Sequence, residues 1–234
     1  MNTQPTSELT PEKTSAHRVV IVEDHTLMRE GLARLVASQA DFSICAEAGD
    51  ASGGLQAILD HKPDLAMIDI TLPGRNGLEL IKDVKAQQPD LPILVLSMHD
   101  ESLYAERALK AGARGYLMKD ADRDTILSAI RRVMDGGIYV SDKMSSDLFA
   151  NFAHKANSKK GSVSILSDRE FEVFELVGQG YGTQEIAVRL GISPKTIEVH
   201  RAHIREKLDV PSGAAMVRYA VRWIESRNLG ETRS

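Results

Sequence analysis

The chain has 234 residues, 42% hydrophobic and 26% charged, with a net charge of −4; this excludes a collagenous or disordered chain and gives no support to nonspecific polyanion binding. Its length predicts two domains, because single cores settle at about 100–150 residues. No apolar run approaches the roughly 18–20 residues of a membrane span and the polar N-terminus lacks a signal-peptide core, so a cytoplasmic protein without a membrane partner is expected.

Residues 1–16 mix Thr, Ser, Pro, Glu and Gln without apolar periodicity and read as a disordered leader. From His17 the pattern is regular: apolar runs at 19–22, 42–46, 65–70, 93–97 and 115–118 alternate with stretches of helical spacing. Met28, Leu32, Leu35 and Val36 support the first helix, Leu55, Ile58 and Leu59 the second, and Ile126, Ile130 and Val133 the last. The strands are continuously apolar, which predicts an α/β domain over 17–137: a doubly wound, five-stranded parallel sheet covered on both faces. The single cysteine, Cys45, falls in the second run, where a buried, inert thiol is expected rather than redox chemistry. Asp135-Gly136-Gly137 reads as the stop of the fifth helix. Residues 138–163 read as a linker holding a weak amphipathic helix (Met144, Leu148, Phe149, Phe152), with its flexible part near 155–163. A smaller all-α domain is predicted over 164–228, from segments Asp168–Val177, Gln184–Leu190, Pro194–Leu208 and Gly213–Ser226.

Polar residues close the apolar runs of the first domain. Glu23 and Asp24 follow the first, Asp69 follows Leu65-Ala66-Met67-Ile68, Ser97 closes the fourth, and Lys119 follows the fifth. In a parallel sheet the C-terminal strand ends share one edge, so these groups meet although Asp24 and Asp69 are about 45 residues apart. Each alone is a plain strand-end residue; together they form a site. Glu23, Asp24 and Asp69 are hard oxygen ligands suited to Mg²⁺, and Asp69 is the best nucleophile for a phosphoryl group. Lys119 would supply positive charge to the transferred group and Ser97 a hydroxyl donor.

Val-Glu-Asp-His at 22–25, Ile-Asp-Ile-Thr-Leu-Pro-Gly-Arg-Asn-Gly at 68–77, Leu-Ser-Met-His at 96–99 and Gly-Tyr-Leu-Met-Lys at 115–119 resemble the flavodoxin-like receiver domain of bacterial two-component response regulators. The resemblance implies that Asp69 accepts a phosphoryl group from a cognate histidine kinase, with the Thr71 backbone carbonyl as a further Mg²⁺ ligand. It also implies that Ser97 and Tyr116 form a switch that remodels the surface of the fourth helix and fifth strand; from the residues alone, Tyr116 reads equally as core. Glu23 stands where aspartate is common in the family, and carboxylate chemistry is kept. Thr71 and His99 flank the site and are expected to tune the lifetime of the phosphoryl group.

Ser167 and Glu170 have capping-box spacing, Thr183 is placed to cap the next helix, and Ser193 followed by Pro194 starts the third. Two short helices joined by Gly191-Ile192-Ser193 are a helix-turn-helix signature, which predicts binding of double-stranded DNA in the major groove. Ile197, His200, Ile204 and Leu208 face inward, with His200 open between packing and phosphate contact. Lys195, Arg201, Arg205, Lys207 and Thr196 are candidate phosphate contacts, and Glu198 and Val199 candidate base readers, through cytosine N4 and a thymine methyl. Leu166-Ser167-Asp168-Arg169-Glu170, Gln184-Glu185-Ile186-Ala187 and Leu190–His200 resemble the LuxR-type helix-turn-helix that NarL/FixJ response regulators join to a receiver. In that family the last helix pairs two copies on DNA, so a homodimer is implied, and RNA polymerase is a further partner to expect. The expected function is a non-enzymatic, phosphorylation-dependent transcriptional regulator. Its alternative is a phosphorylation-independent DNA-binding protein whose receiver only docks or dimerises.

Overall fold

The computed structural model describes residues 16–146 and 163–231, with side chains to 226. Strands β1 (His17–Val22), β2 (Phe42–Ala48), β3 (Leu65–Asp69), β4 (Ile93–Ser97) and β5 (Gly115–Met118) alternate with five helices. These are α1 (Thr26–Ala37), α2 (Ala51–His61), α3 (Gly77–Gln87), α4 (Glu101–Ala111) and α5 (Arg123–Met134). All pairings are parallel, in the order β2-β1-β3-β4-β5. β3 and β4 are buried along their whole length because both faces of the sheet are covered. Alternate strand residues divide between two cores: Val19, Ile21, Met67 and Leu94 pack with α1 and α5, while Val20, Val22, Ile68 and Val95 belong to the opposite one. Each such side chain contributes about 1.5–3 kcal/mol by leaving water.

The C-terminal part is helical: α6 (Asp168–Gly178), α7 (Thr183–Leu190), α8 (Pro194–Leu208) and α9 (Gly213–Glu231), preceded by a 3₁₀ turn at Val163–Ile165. Ser167 and Glu170 form the expected capping box on α6, and Ser193 Oγ caps α8 by accepting from the Thr196 amide at 3.1 Å. Phe171 and Phe174 of α6 pack edge-on against Trp223 of α9, with ring centroids 5.7 Å apart, so α9 is a wall of this core. Among the described residues, no helix is long and apolar enough to cross a membrane.

Four details differ from the sequence-based expectations or add to them. Cys45 is only half-buried, because it lies on the edge strand β2, although burial still raises its pKa and disfavours the reactive thiolate. Thr183 is the first residue of α7 rather than its cap; Gly182 holds the cap position and its amide donates to Glu185 Oε2 at 2.8 Å. The start of the expected linker is strapped to the sheet: Tyr139 bridges Gly115 in parallel, the Ser141 amide donates to Glu101 Oε1 and Met144 is buried. That strap covers the free edge of β5, which would otherwise expose unpaired backbone groups. Residues 142–146 begin a helix, and the rest of the expected amphipathic helix and flexible stretch, through 162, lies outside the described residues. Finally, α6 is buried around most of its circumference, with Asp168, Arg169, Glu170, Glu172 and Glu175 all out of solvent.

Candidate functional site

Strand register brings the strand-end groups together. Val22 pairs with Ile68, Asp69 with Leu96 and Ser97 with Met118, so Glu23, Asp69, Ser97 and Lys119 emerge side by side at the C-terminal edge. The reversal of strand order between β1 and β3 opens a crevice at that edge, the usual ligand position in such sheets. Gly77 opens α3 against this site: a Cβ there would stand 2.0 Å from the Asp69 carbonyl oxygen, so only glycine lets the loop after β3 close back.

Glu23 and Asp69 are buried, and Lys119 Nζ bridges them at 2.7 Å from Glu23 Oε2 and 2.9 Å from Asp69 Oδ2. Burial pushes the Asp69 carboxyl up to about 6 against the pull of Lys119. Burial alone would lower the Lys119 pKa, but Asp69 and Glu23 outweigh it and hold the ammonium charged. Lys119 reaches Asp69 at ion-pair distance, yet neither Asp69 oxygen receives a well-directed hydrogen bond among the described residues. A buried carboxylate with unused lone pairs, joined to the Glu23 carboxylate through Lys119, fits a hard divalent cation. Asp24 is the more solvent-facing member, and sequence reasoning missed its neighbour His25, whose Nδ1 lies 2.9 Å from Asp24 Oδ1. Glu23, Asp24 and His25 offer ligand atoms within 4.8 Å of one another, though an imidazole suits softer metals better.

His99 links Ser97 and Tyr116 to the rest of the molecule. Its amide donates to Ser97 Oγ at 3.0 Å, its carbonyl accepts from the Tyr116 hydroxyl at 2.7 Å, and its Nε2 lies 2.9 Å from Thr71 Oγ1. Tyr116 is therefore at once fully buried core and a hydrogen-bonded partner of this loop. The other ring nitrogen, Nδ1, stands 3.5 Å from Glu175 of α6. Burial would depress the His99 pKa, but Glu175, Glu172 and Asp69 outweigh it and raise it.

The two halves meet along α6. Asp168, Glu172 and Glu175, at i, i+4 and i+7, all face the first domain. Asp168 pairs with Lys82 at 2.6 Å and Arg107 at 3.1 Å, Glu172 accepts from Asn76 Nδ2 at 3.1 Å, and Glu175 accepts from the Tyr104 hydroxyl at 2.6 Å. Arg107 also donates to the Leu166 and Val163 carbonyls and stacks on Phe171 at 4.1 Å. Arg169 spans from the Gly74 carbonyl, in the loop after Asp69, to the Leu190 carbonyl at the helix-turn-helix. A Cβ on Gly191, in that turn, would lie 3.2 Å from the Gly74 nitrogen. Sequence reasoning assigned these charges no partner; the acidic stripe at helical spacing opposite Phe174 and Val177 was the available signal.

On α8, Lys195, Thr196, Glu198, Val199 and Arg205 are exposed, whereas Ile197, Ile204 and Leu208 are buried as expected. His200 is half-buried and its pKa is lowered by burial, which favours the packing role. Two of the candidate phosphate contacts are engaged within the protein: Lys207 pairs with Glu170 at 2.6 Å and Arg201 donates to Thr183 Oγ1 at 3.1 Å.

Two family models match the chain: a response regulator receiver domain over residues 19–131 and the luxR family of bacterial regulatory proteins over 164–220. The oxygen regulatory protein NreC of Staphylococcus carnosus (strain TM300) is 35% identical over 210 residues, covering 88% of this chain and 97% of that protein. A two-component response regulator of the LuxR family from Aurantimonas sp. SI85-9A1 matches at 30% identity and TM-score 0.55, over 59% of this chain and 99% of its own. RcsB from Salmonella enterica serovar Typhimurium, solved on promoter rprA with the phosphomimetic BeF3−, shares the fold at TM-score 0.58 and 24% identity, over 88% and 99% of the two chains. With both matched domains present in that order, the chain belongs to the two-component response regulators that join a receiver to a LuxR-type helix-turn-helix, a family of phosphorylation-dependent transcriptional regulators.

Proposed function

We propose that Asp69 is the phosphoacceptor and that its phosphorylation releases the helix-turn-helix from the receiver for DNA. The observation that carries this reading is the continuous contact from the Asp69 loop to α6 and the Gly191 turn. Receiver backbone at Pro73 and Gly74 stands against that turn, where a duplex seated on α8 would bring its phosphates. The closed arrangement therefore competes with DNA.

Glu23, Asp24, Asp69 and the Thr71 carbonyl would hold Mg²⁺, which when bound neutralises charge on the phosphoryl oxygens. The Asp69 carboxylate attacks phosphorus, forming an acyl phosphate as the bond to the donor breaks. Lys119 stays charged and can turn from Asp69 to a phosphoryl oxygen, and Ser97 supplies its hydroxyl. As Ser97 turns inward it withdraws the acceptor of the His99 amide, and Tyr116 loses its present setting against the His99 carbonyl. His99 would pass that movement to Glu175, while α4 carries Tyr104 and Arg107.

A buried, charge-rich interface suits a reversible contact, because desolvation offsets much of the ion-pair attraction. Replacing His99 by alanine is expected to leave Asp69 phosphorylation in place but shrink the gain in DNA affinity by about 0.5–2 kcal/mol. Titrating phosphorylated and unphosphorylated variant against a selected DNA site checks this.

The division follows the sequence: receiver over 17–137, linker over 138–163, DNA-binding domain over 164–228. A cognate histidine kinase is the donor in the cytoplasm, two copies pair through α9 on DNA, and RNA polymerase is a further contact. The protein acts stoichiometrically rather than as an enzyme. Treatment with Mg²⁺ and a small acyl phosphate, followed by intact-mass measurement and DNA selection, tests the whole reading. One phosphoryl group per chain, absent in Asp69→Ala, with tighter DNA binding is expected; equal DNA binding by both proteins would favour a receiver that only docks.

A further inference from the structure

The exposed face of α8 carries a side-chain chain that joins it to α7. Thr183 Oγ1 donates to Glu198 Oε1 at 2.6 Å and accepts from Arg201 Nη1 at 3.1 Å. A threonine hydroxyl has one proton and two lone pairs, so both contacts are met at once, each polarising the other. Thr183 and Arg201 are half-buried while Glu198 is exposed, so a seated hydroxyl restrains a carboxylate that would otherwise sample many rotamers.

We propose that Thr183 is a specificity-determining positioning residue, fixing the Glu198 carboxylate for one cytosine N4 amino group in the DNA site. The inference rests on the reading that α8 enters the major groove. Glu198 Oε1 accepts from Thr183, which leaves Oε2 of this exposed side chain to accept from a base edge. The same contact offsets a difficulty of a carboxylate near DNA phosphates, because Arg201 brings positive charge behind it. Arg201 uses one Nη on Thr183 and retains other donors for a phosphate, which would couple backbone contact to base choice. As the first residue of α7, Thr183 supplies no cap to that helix; Glu185 caps the Gly182 amide instead, so the hydroxyl is free for this task.

The test uses the full-length chain with Mg²⁺ and acetyl phosphate, selecting sites from random double-stranded DNA. Wild type, Thr183→Val, Thr183→Ser and Glu198→Ala are compared, together with Thr183→Val in the Glu198→Ala background. Thr183→Val should recover the wild-type motif with one C·G position relaxed by about tenfold, unchanged affinity for nonspecific DNA and an unchanged salt slope. Thr183→Ser should restore that preference, and Thr183→Val should add nothing once Glu198 is alanine. A merely structural threonine would weaken all DNA equally and overturn the proposal. So would full base preference in Thr183→Val, or a motif indifferent to Glu198→Ala. Failure of the wild type to select any motif would instead overturn the DNA-binding reading itself.

Discussion

Asp69→Asn is expected to abolish phosphoryl transfer and, in the metal-free protein, to raise stability at neutral pH. The first effect follows from losing the nucleophile, and intact-mass measurement after acyl-phosphate treatment checks it. The second follows from the buried carboxyl, whose pKa stands at about 6 against an ordinary 3.8. The folded protein thus binds more protons than the unfolded chain between these values, and its stability falls as pH rises through the window. About two units at roughly 1.4 kcal/mol each set an upper value near 3 kcal/mol, part of which Asn gives back by losing the attraction of Lys119. Lys119 keeps its other partner, Glu23, at 2.7 Å. A stabilisation of about 2 kcal/mol at pH 8 is therefore expected, shrinking as pH falls through 6 and vanishing below about 4. Adding Mg²⁺ should stabilise the wild type and not Asp69→Asn, narrowing the difference. Denaturant titrations across pH, with and without Mg²⁺, measure both.

The second large effect is expected at Arg107. This side chain, 16% exposed, joins α4 to Asp168, to the Val163 and Leu166 carbonyls and to the Phe171 ring. Truncating one partner of a buried, hydrogen-bonded charge pair costs about 2–5 kcal/mol, largely because the other groups are left unpaired. Lys82 still reaches Asp168, so the lower end applies. About 2 kcal/mol against the closed arrangement is a shift of roughly thirtyfold toward the open one. With the closed form as the resting one, unphosphorylated Arg107→Ala should therefore bind a selected site about 10–30-fold tighter than the unphosphorylated wild type. Phosphorylation should then add little. Binding titrations of both proteins, with and without acetyl phosphate, check this; an unchanged resting affinity would mean that the interface does not restrain DNA binding.

The first domain was legible because chemistry and topology coincide there. Polar groups at the ends of continuous apolar runs have one physical destination in a parallel sheet, and Glu23, Asp69, Ser97 and Lys119 reach it. The helices of the second domain were legible from Ser167, Ser193 and Pro194, whose cap positions are local properties of the backbone. What could not be read was set by contacts between distant segments. Asp168, Glu172 and Glu175 look solvated until Lys82, Asn76 and Tyr104 are placed opposite them. Tyr139 gives no sign of strand pairing in a glycine-containing stretch, because the need it meets lies in the β5 edge. Lys207 and Arg201 count as free cations in sequence, and only folding places Glu170 and Thr183 beside them. The proposed coupling between Asp69 and the DNA-binding domain was the part least visible in sequence, because the contacts of His99 with Ser97, Tyr116, Thr71 and Glu175 form only on folding.

The proposed effect of phosphorylating Asp69 is separation of the two halves. It is tested most directly by an interdomain distance, read from labels at Asp60→Cys and Arg222→Cys in a Cys45→Ala background; both label positions are exposed. In dilute protein with Mg²⁺, one short distance is expected before acetyl phosphate and a longer, broader distribution after it, with no change when Asp69 is also replaced by asparagine. Stoichiometric phosphorylation of Asp69 with an unchanged distance would contradict the account.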